Sequence, residues 1–556
     1  MYIIGKGCLC CHNCALECPA EAIDYKGTHY EIDQDKCIGC GLCQSLCNVG
    51  AITNTDAPDT ITPHDRQELS CDLVVVGCGG SGSIAAVRAA ELSGKKVIVL
   101  EKAQKYGGSA WYAGFEVMGG GPGGPGPGGP GGPGGGDRFQ GKVSKEIQEV
   151  AKTAPRDFSG WMLTMDGVSQ YWVEKPAPFG PGKAVGLKER TYFNLKCRDE
   201  AIGPGRGGSF VVKTMVDQFD RLGISLLTGT GAKKLLTENG CITGVLAEDG
   251  GGEILIHCNA VVVSAGGFAW NDDLLAKYWP WFMTEDPTAE PVHRFAAPTN
   301  TGDATILGES AGAWVDYDNF TVNLFGPVHH PFSFCLFKFA CEPEIISVNL
   351  DGKRFYDESF FPNGAAKIGF QPGRIAWSII DSDTLKIIAD RLIAGNDGWI
   401  HKDYLTEIET ELKLDTPLKK ADTIEELAKL CGIDAAALQA TIDKYNADCA
   451  AGSDSEFSKK PETMRPVLKA PFYAIFGKMA TDGAFGGIRV NGKMEGLKPD
   501  GTPLPGLYAT GDNAAGWCVR VPGPGDNRLM CTNEMSWAVA SGFTAGKSAA
   551  EYLNTF

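Results

Sequence analysis

The 556 residues are enough for two or three domains, and 43% hydrophobic with 21% charged residues is an ordinary balance for packed cores. A formal net charge of −17 argues against nucleic acid or an anionic membrane as the main partner. No apolar run reaches the roughly 18 residues a membrane span needs, and the opening MYIIGKGCLC lacks the basic and hydrophobic regions of a signal peptide. A cytoplasmic protein is therefore expected. Its 20 cysteines cluster at metal-site spacing, which suits a reducing compartment better than a disulfide scaffold.

Residues 1–55 carry one cysteine pattern twice: Cys8-x2-Cys11-x2-Cys14-x3-Cys18-Pro19, then Cys37-x2-Cys40-x2-Cys43-x3-Cys47. Zinc knuckles or a disulfide knot also use clustered cysteines, but soft thiolates at these spacings suit 4Fe–4S clusters. The doubled run resembles the bacterial two-cluster ferredoxin module, a small α+β fold. That resemblance assigns Cys8, Cys11, Cys14 and Cys47 to one cluster, and Cys37, Cys40, Cys43 and Cys18 to the other. Asn48 stands where the module usually has proline, and Cys10 is a ninth thiol. Residues 56–70, polar and proline-bearing, read as a linker.

Leu73–Val76 is apolar throughout, as a strand buried on both faces would be. Gly77, Gly79, Gly80, Ser81 and Gly82 form a G-x-G-x-x-G turn into a small-residue helix. A second apolar strand, Val97–Leu100, ends at Glu101 and Lys102. Such glycines permit a tight turn and close approach to a pyrophosphate; the helix N-terminus faces the phosphates and the acid accepts a ribose hydroxyl. Gly107, Gly108 and Ser109 follow in a second glycine loop. Residues 119–136 contain only Gly and Pro, readable as a disordered surface loop or as an ordered loop close to the cofactor or a partner subunit. Further on, a strand Ala260–Ser264 closes on Ala265-Gly266-Gly267. Asp303, in Asn300-Thr301-Gly302-Asp303, is a candidate helix cap or ribityl contact. The segment GLYATGD offers Gly511 and Asp512 to ribityl hydroxyls. Asn533 opens a C-terminal helix whose dipole would favour negative charge on a reduced ring.

Taken in order, VVVGCGGSG…VLEK, YGGSA, VVSAGG, NTGDA, GKRFYDES, LYATGD and NRL resemble the fumarate reductase/succinate dehydrogenase flavoprotein superfamily over about 70–556. The resemblance implies a Rossmann-like α/β FAD domain (71–325 and 476–556) interrupted by an α+β capping domain (326–475), with substrate held between them. No His stands around Tyr106–Ser109, against a histidyl-linked flavin. Arg528 matches the family's N-R-L arginine and Glu358 the acid of G-K-R-F-x-x-E. Other expected dicarboxylate contacts are replaced: Phe361 follows Glu358 where an Arg is usual, Thr384–Lys386 lacks the next Arg, DYDNFTV replaces a His-Pro-Thr segment, and Gly483 stands at a His position. With Phe360 and Phe361, the lost charges point to an acceptor bulkier or less anionic than fumarate.

The leading expectation is an anaerobic reductase. One-electron clusters would feed FAD, which reduces an activated C=C bond of an enoate or enone. Arg528 would anchor the acceptor and Glu358 relay a proton, with Tyr356 and Lys386 as further donor candidates. Partners would be a small-molecule acceptor and a ferredoxin-like one-electron donor; a homo-oligomer or a place in a larger complex stays open. So do two other readings: sulfur chemistry of the adenylylsulfate reductase kind, and an electron-transfer subunit without its own substrate.

Overall fold

The computed structural model describes the chain apart from residues 6–7, 9–12, 27–29, 48–49, 57–62, 112–116, 119–143, 163, 166–171, 176–191, 196–206, 329–333, 360–363, 365–366, 395–403, 414–417 and 517–533. Cys10, Cys11, the Gly/Pro tract, Phe360, Phe361, Arg528 and Asn533 thus lie outside the described residues.

The N-terminal module is built from its repeat. Strands Tyr2–Ile4 and Ile52–Asn54 pair antiparallel, Tyr2 opposite Asn54, and Ile23–Tyr25 pairs with Tyr30–Ile32. A short helix follows the first strand of each half, Asn13–Leu16 and Leu42–Leu46. The core is small: Ile23 and Tyr30 are buried, and Cys8, Cys14, Cys18 and Cys43 pack around them. A domain this size buries too little apolar surface for much stability, so bound clusters would supply part of its folding energy.

The main domain is organised on six strands in the order Ser225–Thr228, Val97–Glu101, Leu73–Val76, Ala260–Val263, Pro503–Ala509, Glu495–Leu497. The first five run parallel and the last antiparallel. Every residue of the three central strands is buried, as expected when helices cover both faces. The chain leaves Leu73–Val76 toward Val97–Glu101 on one side and returns at Ala260–Val263 on the other. Strand order reverses there, and the crevice at those carboxyl ends is where doubly wound sheets bind ligands. Helix Gly80–Ser93 lies under the C-terminal helix Glu534–Leu553 at backbone contact: a Cβ on Gly542 would fall 2.4 Å from the Ser81 carbonyl oxygen, and one on Gly546 2.7 Å from that of Ala85.

A second sheet joins Gly231–Glu238, Cys241–Glu248 and Glu253–His257, with Gln67–Ser70 added parallel on its edge. The linker expected over 56–70 is corrected accordingly: its last four residues are a strand.

The third unit is a seven-stranded sheet built on one long strand, Phe472–Arg489. Ile375–Asp381, Leu418–Ala421 and Val315–Val328 pair with it, and Ile346–Val348 pairs with Ile375–Asp381. Helices Ile424–Cys431 and Ala435–Ala451 cover it through Leu427, Leu438, Ile442 and Tyr445. At its far end the long strand pairs with Ala514–Ala515, next to the cofactor-side turn Gly511–Asn513. The expected cap limits at 325/326 and 475/476 therefore fall inside the strands Val315–Val328 and Phe472–Arg489. No helix among the described residues is long and apolar enough to cross a membrane.

Candidate active site: a dinucleotide cradle, a cysteine module and a cap

The cradle is mostly backbone. Gly77 has φ 99°, and a Cβ there would lie 2.2 Å from the Ser264 carbonyl oxygen; one on Gly82 would lie 2.0 Å from that of Gly77. Only glycine fits either position. The two glycine loops abut: Gly107 N donates to the Cys78 carbonyl at 2.8 Å, and Gly79 bridges Gly107. Glu101 is buried at its strand end. Its two oxygens accept from Cys78 N (3.0 Å) and Ala103 N (2.9 Å), leaving lone pairs for a ribose hydroxyl. Burial pushes this carboxyl above its ordinary range, against the pull of both N–H bonds. Cys78, directly beside it, is buried with its thiol pushed up by desolvation, which leaves it inert.

Ser109 Oγ accepts from Ala297 N (3.0 Å) and Asn300 Nδ2 (2.9 Å), which ties the second loop to the 297–300 turn. Gly266, at φ 75°, faces Asn300; a Cβ would fall 2.3 Å from Asn300 Oδ1. Ala265 adjoins it at the end of the central strand. Lys102 Nζ donates to Asp303 Oδ2 (2.6 Å) and Thr301 Oγ1 (2.8 Å). Asp303 is the first residue of helix Asp303–Ala311, whose cap is Gly302 with no side-chain bond. The cap role expected of Asp303 is thereby corrected: it pairs with Lys102 and Thr301. At the returning strand, Gly511 (φ 66°) sits against Ser81, and Ser81 Oγ bonds Ser264 Oγ at 2.6 Å. Asp512 is half-buried in the same turn.

An FAD fits this lining. Side chains are excluded where a pyrophosphate would pass, and two buried polar atoms at the strand ends, Thr510 Oγ1 and Asn513 Oδ1, have no hydrogen-bond partner among the described residues. Ser264, Asn300, Thr510 and Asn513 escaped sequence reasoning. Only Asn300 had a local signal, its place just before Thr301-Gly302-Asp303.

In the N-terminal module, Cys18, Cys37, Cys40 and Cys43 line one recess with Tyr2, Pro19 and Ile38. These are one of the two ligand sets the resemblance assigns, drawn from both halves of the repeat. Burial raises the Cys43 thiol, and Cys37, Cys40 and Cys18 raise it further as neighbouring charges. Ala22 N donates to Cys18 Sγ (3.4 Å) and Ala51 N to Cys47 Sγ (3.1 Å), the same relation in each half. Amide donors of this kind favour thiolates and tune cluster potentials. Among the described residues no group of His, Cys, Asp and Glu is set to hold a single metal ion.

The cap places three of the catalytic candidates in contacts of their own. The Glu358 side chain is 1% exposed inside a charge cluster. Arg354 holds it at 2.6 and 3.0 Å and holds Asp454 at 3.0 and 3.1 Å; Lys459 lies 3.5 Å from Glu358, and Ser347 N donates to it. Tyr445 and Phe457 flank the Arg354 guanidinium at 4.9 and 5.1 Å. Tyr356 is fully buried with its hydroxyl on Ser347 Oγ at 3.0 Å, and burial pushes its phenol up. Lys386 is 64% exposed on a helix and paired with Asp390 at 2.7 Å. Arg354, Tyr356 and Glu358 of G-K-R-F-Y-D-E thus all point into the buried interior of the cap.

Cap and cradle meet at glycines. A Cβ on Gly267 would fall 1.7 Å from the Ala484 carbonyl oxygen, and one on Gly487 2.6 Å from that of Asn513. On the other side, a Cβ on Gly486 would enter the Phe320 ring, 2.0 Å away. Phe320 stacks on Phe268 at 4.6 Å and touches Tyr278 and Tyr317 at 5.0 and 5.1 Å. Gly483 packs on Phe485. One layer of side-chain-free backbone thus separates an aromatic cluster from the cradle.

Nucleotide cradle, capping sheet and thiol module together define an FAD-dependent oxidoreductase with an iron–sulfur domain. The FAD binding domain model matches residues 72–118 and 136–525, and the 4Fe-4S binding domain model matches 30–53. The chain belongs to the fumarate reductase/succinate dehydrogenase flavoprotein family. It is 28% identical over 517 residues to the vinyl phenol reductase of Lactiplantibacillus plantarum, covering 89% of this chain and 98% of that one. To the NADH:acrylate oxidoreductase of Vibrio harveyi it is 28% identical, but it spans only 48% of that relative's length. Among solved structures, the open conformation of a flavocytochrome c3 fumarate reductase superposes with TM-score 0.59 at 21% identity, covering 87% of this chain and 79% of that one, which supports the fold.

Proposed function

We propose that the protein reduces an activated C=C bond, conjugated to a carbonyl, carboxylate or aromatic ring, with electrons delivered singly through two 4Fe–4S clusters. The observation that carries this reading is the junction just described. Where fumarate reductases carry a dicarboxylate clamp, this chain has Gly483 against Phe485, with Phe268 and Phe320 beyond. The rings themselves are buried core; what bears on the acceptor is that Gly483 brings no charged side chain to this junction, which suits an apolar or aryl-substituted acceptor better than a small dianion. The names of the relatives, a vinyl phenol reductase and an acrylate oxidoreductase, agree with that class.

When bound, the flavin supplies the hydride. The chain's own residues do the rest. Gly79 and Gly108 would offer backbone N–H groups to a pyrophosphate, Gly77 and Gly107 would shape the turns with their own N–H groups bonded to the Leu100 and Cys78 carbonyls, and Glu101 would fix a ribose. The returning turn 510–513 would hold the ribityl side. Arg528 anchors the acceptor carbonyl or carboxylate and orients the double bond; with Glu358, Tyr356 and Lys386 engaged elsewhere, it is also the remaining candidate for the protonating group. The test is anaerobic: reduced methyl viologen with fumarate, cinnamate, hydroxystyrene and cyclic enone acceptors. Oxidation is expected with an aryl or cyclic acceptor and weak or none with fumarate. Fumarate as the best acceptor, or no oxidation at full FAD and iron loading, overturns the reading.

A further inference from the structure

The N-terminal module touches the flavin domain at a lysine. Lys105, two residues before the Gly107-Gly108 turn of the cradle, donates from Nζ to the Cys47 carbonyl oxygen at 3.1 Å. Gly50 packs on the same side chain, its ideal Cβ 3.9 Å from Lys105 Cβ. Lys105 is partly buried in this seam. The recess formed by Cys18, Cys37, Cys40 and Cys43 differs in exposure: Cys40 is exposed, and Ile38 beside it is 68% exposed.

We infer that Lys105 seats the module so that the Cys47-bearing cluster site faces the flavin, and that its ammonium raises the potential of that site alone. The Cys18/Cys37/Cys40/Cys43 site is then the outer one, reduced by the external donor. This rests on the two-cluster reading above. Electron transfer falls off steeply with distance, so a peptide group bonded to the cradle loop outranks a recess open to solvent as the last station. Four thiolates leave a cluster net negative, and reduction adds a further negative charge. A cation at the ligand's own carbonyl, in a seam where water screens poorly, favours the reduced form. The electrons balance with a one-electron donor of the reduced viologen or ferredoxin class: two successive electrons and one proton from solvent bring the flavin to its hydride-donating state.

The experiment is an EPR-monitored redox titration of the full-length holoprotein, as wild type, Lys105→Gln and Lys105→Arg, with iron and FAD assayed in each. A dysprosium chelate added outside identifies the outer cluster by its faster spin relaxation, so the assignment needs no cysteine variant. Lys105→Gln is expected to lower the midpoint of the couple shielded from the chelate, to leave the other unchanged, and to slow flavin reduction by reduced viologen; Lys105→Arg restores both. Two clusters' worth of iron with neither couple shifted, or with the chelate-accessible couple shifted, overturns the inference while the two-cluster reading stands. Only one cluster's worth of iron in fully loaded wild type overturns both.

Discussion

The nucleotide cradle and the capping sheet both contain a residue string that reads as functional, and they use it in opposite ways. In the cradle, Gly77, Gly82 and Gly266 matter because nothing but backbone fits; Cβ atoms there would sit 2.0 to 2.3 Å from oxygen. In the cap, Arg354 and Glu358 matter because charges fill a space that water has left, each side chain 1% exposed. A glycine motif constrains the main chain, so its meaning travels with the local sequence. A charged motif depends on what faces it, and here that is Asp454 and Lys459, about a hundred residues further on.

This contrast can be broken experimentally, and the largest effect should come from the cradle. Gly77→Ala puts a methyl into the Ser264 carbonyl at a φ that alanine rarely adopts. The expected result is protein purified without flavin, seen as loss of the visible absorption band; a variant retaining full FAD would show that the loop can shift aside. In the cap, Arg354→Met leaves Glu358 and Asp454 buried without their common partner. Breaking such a cluster costs about 3–5 kcal/mol, measurable by urea unfolding, while FAD content at low denaturant stays unchanged. Acid should act on the same cluster. Burial alone would raise the Asp454 carboxyl, but the bonds from Arg354 and from the Glu456 and Lys459 amides hold it at about 2. A depressed folded-state value means the stabilisation is present above the ordinary aspartate range and is lost as pH falls through that range toward 2. Acid unfolding followed by tryptophan fluorescence should therefore be shallower in Arg354→Met than in wild type. The smallest effect belongs to Lys386→Gln: an exposed pair with Asp390 changes stability by at most about 0.5 kcal/mol, and turnover should be untouched. A large loss of kcat there would restore Lys386 as a proton donor.

Much of the fold was legible for physical reasons that these residues illustrate. Leu73–Val76, Val97–Glu101 and Ala260–Val263 are apolar runs because both faces of the sheet are covered. The glycine turns and Glu101 fell where strand ends and loop contacts require them. Cys18 and Cys37 were paired across the repeat by family resemblance, and the recess brings them together. Contacts set by tertiary approach left no trace in the string. Asn300 reaches Ser109 from 191 positions away, and the Lys102–Asp303 pair could be read equally as two independent ligands of the cofactor. The cap limits fall inside strands because a strand that runs on through a junction carries no turn signal at the boundary; Phe472–Arg489 is one element, buried almost throughout its described residues.

That unbroken strand has a mechanical meaning. The cap is not a bead on a tether, since its longest ribbon continues into the edge beside Ala514–Ala515. Where the ribbon crosses between the two sheets it carries Gly483, Gly486 and Gly487, the last two at φ 145° and 149°. Continuous backbone thus links the cap's sheet to the cofactor turn, as a leaf spring links its two clamps. By the same logic, a fragment cut at residues 326 and 475 would carry away only the first few residues of the strand on which its own sheet is built.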